Sequence, residues 1–311
     1  MVHISPDAVR MHGEYAIAFV KIGPQRVAHI SEQAFQDIVL STNNWRNFVN
    51  IEEKYDIMME NFCEFERACF DIALRHMLFE IPDDIFLGET ALLNRNLLNY
   101  LTSTTMYIDQ TKRHLTNVCG RGSPEIAQFN ELLVSLKNSN AGMFILEHLR
   151  NFAQHASGAI DSISIGGSRS QLNQKDITVY DVFAAIDLDG LRNDRKSGER
   201  VANRETELRG RSVQDLMRDA ADGLSCLHDA VREMLRDKIG SARNSIEAGI
   251  AVYDDGLISG ADVNGLAAIK FSSHGIMIDK AYISKHQIER FDSFVRKNQR
   301  LSDLRKRRVM S

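Results

Sequence analysis

The sequence predicts a mainly α-helical fold, an antiparallel helical bundle with small β-hairpin additions. Three observations carry this. Apolar residues recur at alternating steps of 3 and 4 over several long stretches, the period of helices packed nearly parallel to their neighbours. Only 4 prolines interrupt 311 residues. Capping and turn residues fall where the stripes begin and end.

The first stripe starts at Trp45 and continues through Phe48, Ile51, Tyr55, Met58, Phe62, Phe65, Cys69, Ile72, His76 and Phe79. It predicts a helix from about 44 to 80, with Asn43 or Asn44 as cap and Pro82 as stop. At 1.5 Å per residue such a helix is roughly 55 Å long. Its one-sided aromatic surface must be covered by partners, and these follow. Leu93, Leu97, Tyr100, Thr104, Tyr107, Thr111 and Leu115 repeat the alternation and predict a helix over about 88–117. Ser123-Pro124-Glu125 places a cap, a first-turn proline and an acid ahead of Ile126, Phe129, Leu133 and Leu136. A fourth helix is expected from about Ala141 to Ala156, closed at Gly158 by a left-handed cap. Ser212-Val213-Gln214-Asp215 opens the last long helix, whose stripe runs from Val213 to Met234 and is expected to end at Gly240.

The remaining segments read differently. Tyr15–Ile22 reads as a strand. Ile160–Ile165 and Ile177–Val182 flank a Gly/Ser/Asn-rich turn and predict a β-hairpin. Residues 191–211 are polar, Arg-rich and aperiodic, and read as a mobile loop. Ala267–Phe271 and Gly275–Asp279 suggest a second small hairpin, and Arg290–Arg308 a basic helical end. The domain plan is therefore an N-terminal strand and short helix over 1–42, a bundle over 43–240 with its hairpin near 160–182, and a C-terminal extension over 241–311.

Composition bounds the function without naming it. At 43% hydrophobic and 26% charged residues, the chain excludes collagen-like, low-complexity and wholly disordered classes. A net charge of −4 does not mark a nucleic-acid binder, so such a role must rest on local basic segments. Its 4 cysteines form no CxxC and no regular framework, which fits a reducing cytosol. No apolar run approaches a membrane span, and the N-terminal Met-Val-His-Ile-Ser-Pro-Asp lacks a signal-peptide pattern, so a cytoplasmic location without a membrane partner is expected. No P-loop, Rossmann glycine pattern, nucleophile elbow or HExxH is present, and neither a cofactor nor a metal is expected. Cys63 and Cys69 read as structural thiols and His76 as a hydrogen-bonded core histidine; His3, His12 and His29 have no metal spacing.

One segment stands out for chemistry. On a wheel at 100° per residue, Phe152, Ile145, Ala156, Leu149, Ala153 and Leu146 form the core arc of the fourth helix. Arg150, Gln154, Glu147, Asn151, His155 and His148 form the opposite arc, with Arg150 and His155 about 140° apart near its edges. Asn151 and His155 are i and i+4 neighbours. A phosphate-clamping guanidinium thus shares one strip with an imidazole that titrates near neutrality. His148 reads as one more surface residue of that strip.

Arg150-Asn151-Phe152-Ala153-Gln154-His155 resembles the signature of the HEPN superfamily: an Arg, a polar residue, then a His near the end of a bundle helix. The resemblance covers roughly residues 44–240 and is clearest over Leu149–His155. It implies a HEPN-like bundle and a metal-independent endoribonuclease of toxin or antiviral-defence type. His155 would act as general base or acid, Arg150 would stabilise the phosphorane oxygens, and Asn151 would orient His155 or donate to phosphate. It implies a homodimer in which two Arg–His pairs share a cleft, RNA as substrate, and an antitoxin or defence-system partner. Where the adenylylated variant carries Tyr, this chain has Ser157, so no adenylylation switch carries over.

Two other readings stay open. One is a non-catalytic helical scaffold whose stripe from Phe48 to Phe79 is partly an interface. The other is an RNA-binding module without cleavage, led by Arg296, Lys297, Arg300, Arg305, Lys306, Arg307 and Arg308, basic residues suited to a phosphate backbone.

Overall fold

The stripe that begins at Trp45 belongs to a helix longer than its pattern suggests. The computed structural model describes residues 5, 9, 13–20, 26–80, 82, 85–155, 158–172, 175–253 and 265–299. In it α1 runs Glu32–Leu78. Ser31 provides the cap, its Oγ accepting from the Ala34 amide at 3.1 Å, so Asn43 and Asn44 lie inside the helix. Phe35 and Ile38 extend the buried face backwards. Every stripe residue from Trp45 to Ile72 is at most 6% exposed, so this face is core and not an interface, while Phe79 lies outside it at 65%.

The second helix, α2, spans Ile85–Cys119, and all seven stripe residues from Leu93 to Leu115 are buried. Gly120 closes it with φ +89°, donating its amide to the Thr116 carbonyl at 2.9 Å. Helix α3 is Pro124–Ser139, entered at Ser123 as its residues suggest, though the Ser123 hydroxyl makes no cap bond. Helix α4 is Ala141–His155. The hairpin that follows pairs β3 (Ile160–Leu172) with β4 (Lys175–Ile186) and is longer at both ends than its alternation indicates.

Residues 191–211, expected to be a mobile loop, form three short helices: α5 (Leu188–Asn193), α6 (Gly198–Ala202) and α7 (Glu205–Leu208). Asp187 caps α5 by accepting from the Gly190 amide at 2.8 Å. Asp194 accepts from the amides of Lys196 and Ser197 and from the Ser197 hydroxyl, and these bonds hold its carboxyl below the usual range. Each turn buries one aliphatic side chain, Leu191, Val201 and Leu208 in order. Elements this short carry no detectable period, which is why the sequence reads as a loop.

Helix α8 runs Val213–Tyr253. Ser212 caps it through the Asp215 amide at 3.0 Å. It passes through Gly240, where a helical glycine costs only about 1 kcal/mol, because Ala242, Ile246 and Tyr253 bury further on. The expected second hairpin forms from β5 (Leu266–Phe271) and β6 (Met277–Tyr282), followed by α9 (Lys285–Lys297). It joins β1 (Tyr15–Phe19) and β2 (Val27–His29) in one antiparallel sheet ordered β2-β1-β5-β6.

The chain divides into two compact units. The first draws on Met1–Glu53, His114–Arg121 and Arg232–Gln299, the second on Lys54–Arg113 and Gly122–Val231. In the first, Gly249 of α8 sits where a Cβ would come within 3.0 to 3.6 Å of Ile38, Ile283 and Ile17. Trp45 donates Nε1–H to the Gln287 carbonyl at 3.2 Å and packs on Phe48 and Phe291. Arg232 grips the buried Glu52 carboxylate with bonds of 2.6 and 2.8 Å. In the second, the His228 ring stacks on Tyr55 at 3.8 Å and bonds Tyr107 through Nδ1 at 3.0 Å, while Tyr55 bonds Ser225 at 2.8 Å. His76 is a bonded, largely buried histidine, 3.0 Å from the buried Glu89. Cys69 is buried, which pushes its thiol up to about 12, a structural and unreactive group. The architecture is mainly helical with small antiparallel sheets.

Candidate functional site

Helix α4 is fixed along its length within the second unit. Asn140 caps it, its Oδ1 accepting from the Met143 amide at 3.0 Å while its Nδ2 donates to the Asp219 carbonyl of α8 at 2.7 Å. Gly142 lets the helices meet: a Cβ there would lie 2.1 Å from the Leu216 carbonyl oxygen and 2.5 Å from the Ala220 nitrogen. Met143, Ile145, Leu146 and Leu149 bury the core face. Beyond the helix, Asn94 of α2 accepts from the Ala159 and Ile160 amides at 2.9 and 3.0 Å. The chain is thus tied down on both sides of the Arg150–His155 segment.

The flank of α4 is covered by the segment expected to be mobile. Arg204 lies 4.5 Å over the Phe144 ring and donates to the Lys137 carbonyl at 2.9 Å. The Phe144 ring is 4.8 Å from His148. Gly190 sits so close that a Cβ would fall 2.7 Å from Phe152. His148 is therefore buried at 7% exposure, where its wheel position marks a surface residue. A helical wheel assigns faces relative to one core and cannot register a second cover. Burial lowers the imidazole pKa against the opposing pull of Glu147, with Arg200 and Lys137 adding to the lowering and Asp194 opposing it. Glu147 bonds Lys137 at 3.0 Å, which holds its carboxyl below the usual value.

Arg150 is half-buried, with Nε shielded from solvent and without a hydrogen-bond partner among the described residues. This sets it apart. Among the described residues six arginines are half-buried, and five pair with carboxylates: Arg204 with Glu207, Arg211 with Asp219, Arg218 with Glu66, Arg232 with Glu52 and Arg243 with Asp292. Arg150 is the sixth, and no carboxylate faces it among those residues. A half-buried guanidinium with no protein anion opposite it suits an anionic ligand. Asn151 is half-buried beside it. His155 closes α4 one turn beyond Asn151; its side chain lies outside the described residues, as does that of Gln154.

No family model, no curated protein and no solved structure matches this chain. What can be said of the site rests on its own residues.

The basic residues proposed for RNA binding lie elsewhere in the chain. Arg296 and Lys297 are exposed at the end of α9, in the first unit. Arg300, Arg305, Lys306, Arg307 and Arg308 lie outside the described residues. Among the described residues no group of three or more His, Cys, Asp or Glu side chains is arranged to hold a metal ion, and no helix is long and apolar enough to cross a membrane. An open depression of about 700 Å³ follows Asn130, Glu131, Val134, Ser135, Asn138 and Ser139 along α3, with no basic side chain in its lining. The two asparagines that set α4, Asn94 and Asn140, were missed from sequence. Asn140 had a readable signal, a capping residue directly before the helix; Asn94, 65 residues from its first partner, had none.

Proposed function

We propose that this protein is a HEPN-like, metal-independent endoribonuclease acting through Arg150, Asn151 and His155. The observation that carries the reading is the half-buried Arg150 with no carboxylate opposite it among the described residues, on a helix capped by Asn140 and followed by a chain held at Ala159. In the proposed reaction His155 takes the proton of a ribose 2′-hydroxyl. The 2′-oxygen attacks phosphorus, the bond from phosphorus to the 5′-oxygen breaks, and a general acid protonates the departing oxygen. Arg150 stabilises the charge on the equatorial phosphorane oxygens, and Asn151 orients the imidazole or donates to phosphate. The general acid is the imidazole of a second copy, so the active species is a symmetric dimer. The products are a 2′,3′-cyclic phosphate and a 5′-hydroxyl. A toxin or antiviral-defence setting, with an antitoxin or defence-system protein as partner, follows from the same resemblance.

The test is cleavage of single-stranded RNA in EDTA. His155→Ala should lower the rate by about 10²–10⁴-fold, and Arg150→Ala by about 10²–10³-fold, with circular dichroism unchanged. Arg150→Lys should recover little, because an ammonium lacks the planar fork. Equal rates for wild type and His155→Ala would remove the reading and leave a non-catalytic interaction module.

A further inference from the structure

The last turns of α1 are apolar on two sides. One side is the core stripe. The other carries Phe70, Leu74, Met77 and Leu78, spaced 4, 3 and 1, and lies roughly 150° round the helix from Phe65, Cys69 and Ile72. These four side chains are 52%, 36%, 47% and 58% exposed, and Phe79 directly after the helix is 65% exposed. At roughly 200 Å² per large side chain they leave about 500 Å² of apolar surface in water. A contiguous patch of that size is as large as the largest on a typical monomer, and such patches are often functional. A standard interface takes about 800 Å² from each partner, and homodimer interfaces are about 65% apolar; the area here matches one half of such a dimer.

The charges beside the patch select the partner. Asp71 and Arg75 are exposed and flank it on the same side, next to Leu78. Neither has an ion-pair partner among the described residues. When two identical helices pair antiparallel about a two-fold axis, each flank meets the same flank of the other helix. With the axis at Leu74, Phe70 faces Leu78 of the second copy and Leu74 faces its own equivalent. Asp71 then comes within reach of Arg75 of the second copy, and the pair is made twice. A surface that answers its own charge pattern in this way is built for itself.

We propose that the Phe70–Phe79 face of α1 is a homodimer interface in which two copies of α1 pair antiparallel about Leu74. The proposal is argued from this surface and not from the nuclease chemistry, which needs a symmetric dimer but not this particular face. Analytical ultracentrifugation of the full chain tests it without RNA. The wild type should sediment at micromolar concentration as twice the 35.2 kDa chain. Leu74→Glu with Leu78→Glu should weaken the dimer by at least ~100-fold, since it forces charge into a buried contact; both positions are exposed, so helicity should be unchanged. Asp71→Arg or Arg75→Asp alone should each weaken it by about 10-fold through like-charge contact. The combined exchange Asp71→Arg with Arg75→Asp should restore it to within ~3-fold. A monomeric wild type, a dimer indifferent to the two glutamates, or a charge exchange that fails to restore would each overturn the proposal, whatever the outcome on RNA.

Discussion

At the scale of single residues, the site is defined by which charges have partners. Five half-buried arginines are matched to carboxylates and Arg150 is not, among the described residues. The value of pairing is seen at Arg232, which neutralises a Glu52 that is only 2% exposed. Replacing Arg232 by Met leaves that carboxylate buried and uncompensated, and should cost about 3–5 kcal/mol in urea unfolding; a loss under 1 kcal/mol would contradict the pairing. His148 gives a pH signature. Its folded pKa lies below the unfolded value of 6.5 because burial disfavours the imidazolium. Below 6.5 the unfolded chain binds the proton first, so stability is present above that pH and falls as the pH drops towards the folded pKa. Wild-type stability should decline below pH 6.5 more steeply than that of His148→Gln, as read by thermal melts over the same range; parallel profiles would place the imidazole in water. That Arg150, Asn151 and His155 lie on one helix is legible in the sequence. The burial of His148 is not, because it depends on a segment 40 to 60 residues further on.

At the scale of elements, the long helices were legible and the short ones were not. Alternating steps of 3 and 4 place α1, α2 and α8 because each buries a long, mostly apolar stripe. The bounds slip where a capping signal misleads: Asn43 and Asn44 lie inside α1, and Gly240 lies inside α8. The segments α5, α6 and α7 fall below the length at which a period shows, and only α5 carries an aspartate cap, Asp187, to announce it. Close approaches then decide how α4 is held. Gly142→Ala places a methyl against the Leu216 carbonyl oxygen, which is backbone and cannot rotate away. It should destabilise the fold by about 3 kcal/mol, the upper end for overpacking. A neutral Gly142→Ala in a thermal melt would show that α4 and α8 do not cross as described. Asn140→Ala should cost about 1 kcal/mol for the cap alone.

At the scale of the molecule, the feature least accessible from sequence is the sheet of the first unit. Tyr15 pairs with Lys270 and Phe19 with Leu266, a register between the two ends of the chain that no local pattern encodes. The hairpin of β5 and β6 was legible from its two short apolar segments; its attachment to β1 was not. Ending the chain after Tyr253 removes β5, β6 and α9 and uncovers Ala16, Ile17 and Ala18, all fully buried. Amide exchange over Tyr15–Phe19 should then lose its protection, and retained protection would contradict the register. The most direct measurement of the central claim uses a single RNA with one 2′-deoxy nucleotide at its main cleavage site, incubated with the full chain in EDTA. The account predicts that this one substitution abolishes cutting at that bond, while neighbouring cuts still leave a 2′,3′-cyclic phosphate and a 5′-hydroxyl. Cutting at the deoxy position, or products ending in a 5′-phosphate, would contradict attack by the 2′-oxygen and with it the roles assigned to Arg150 and His155.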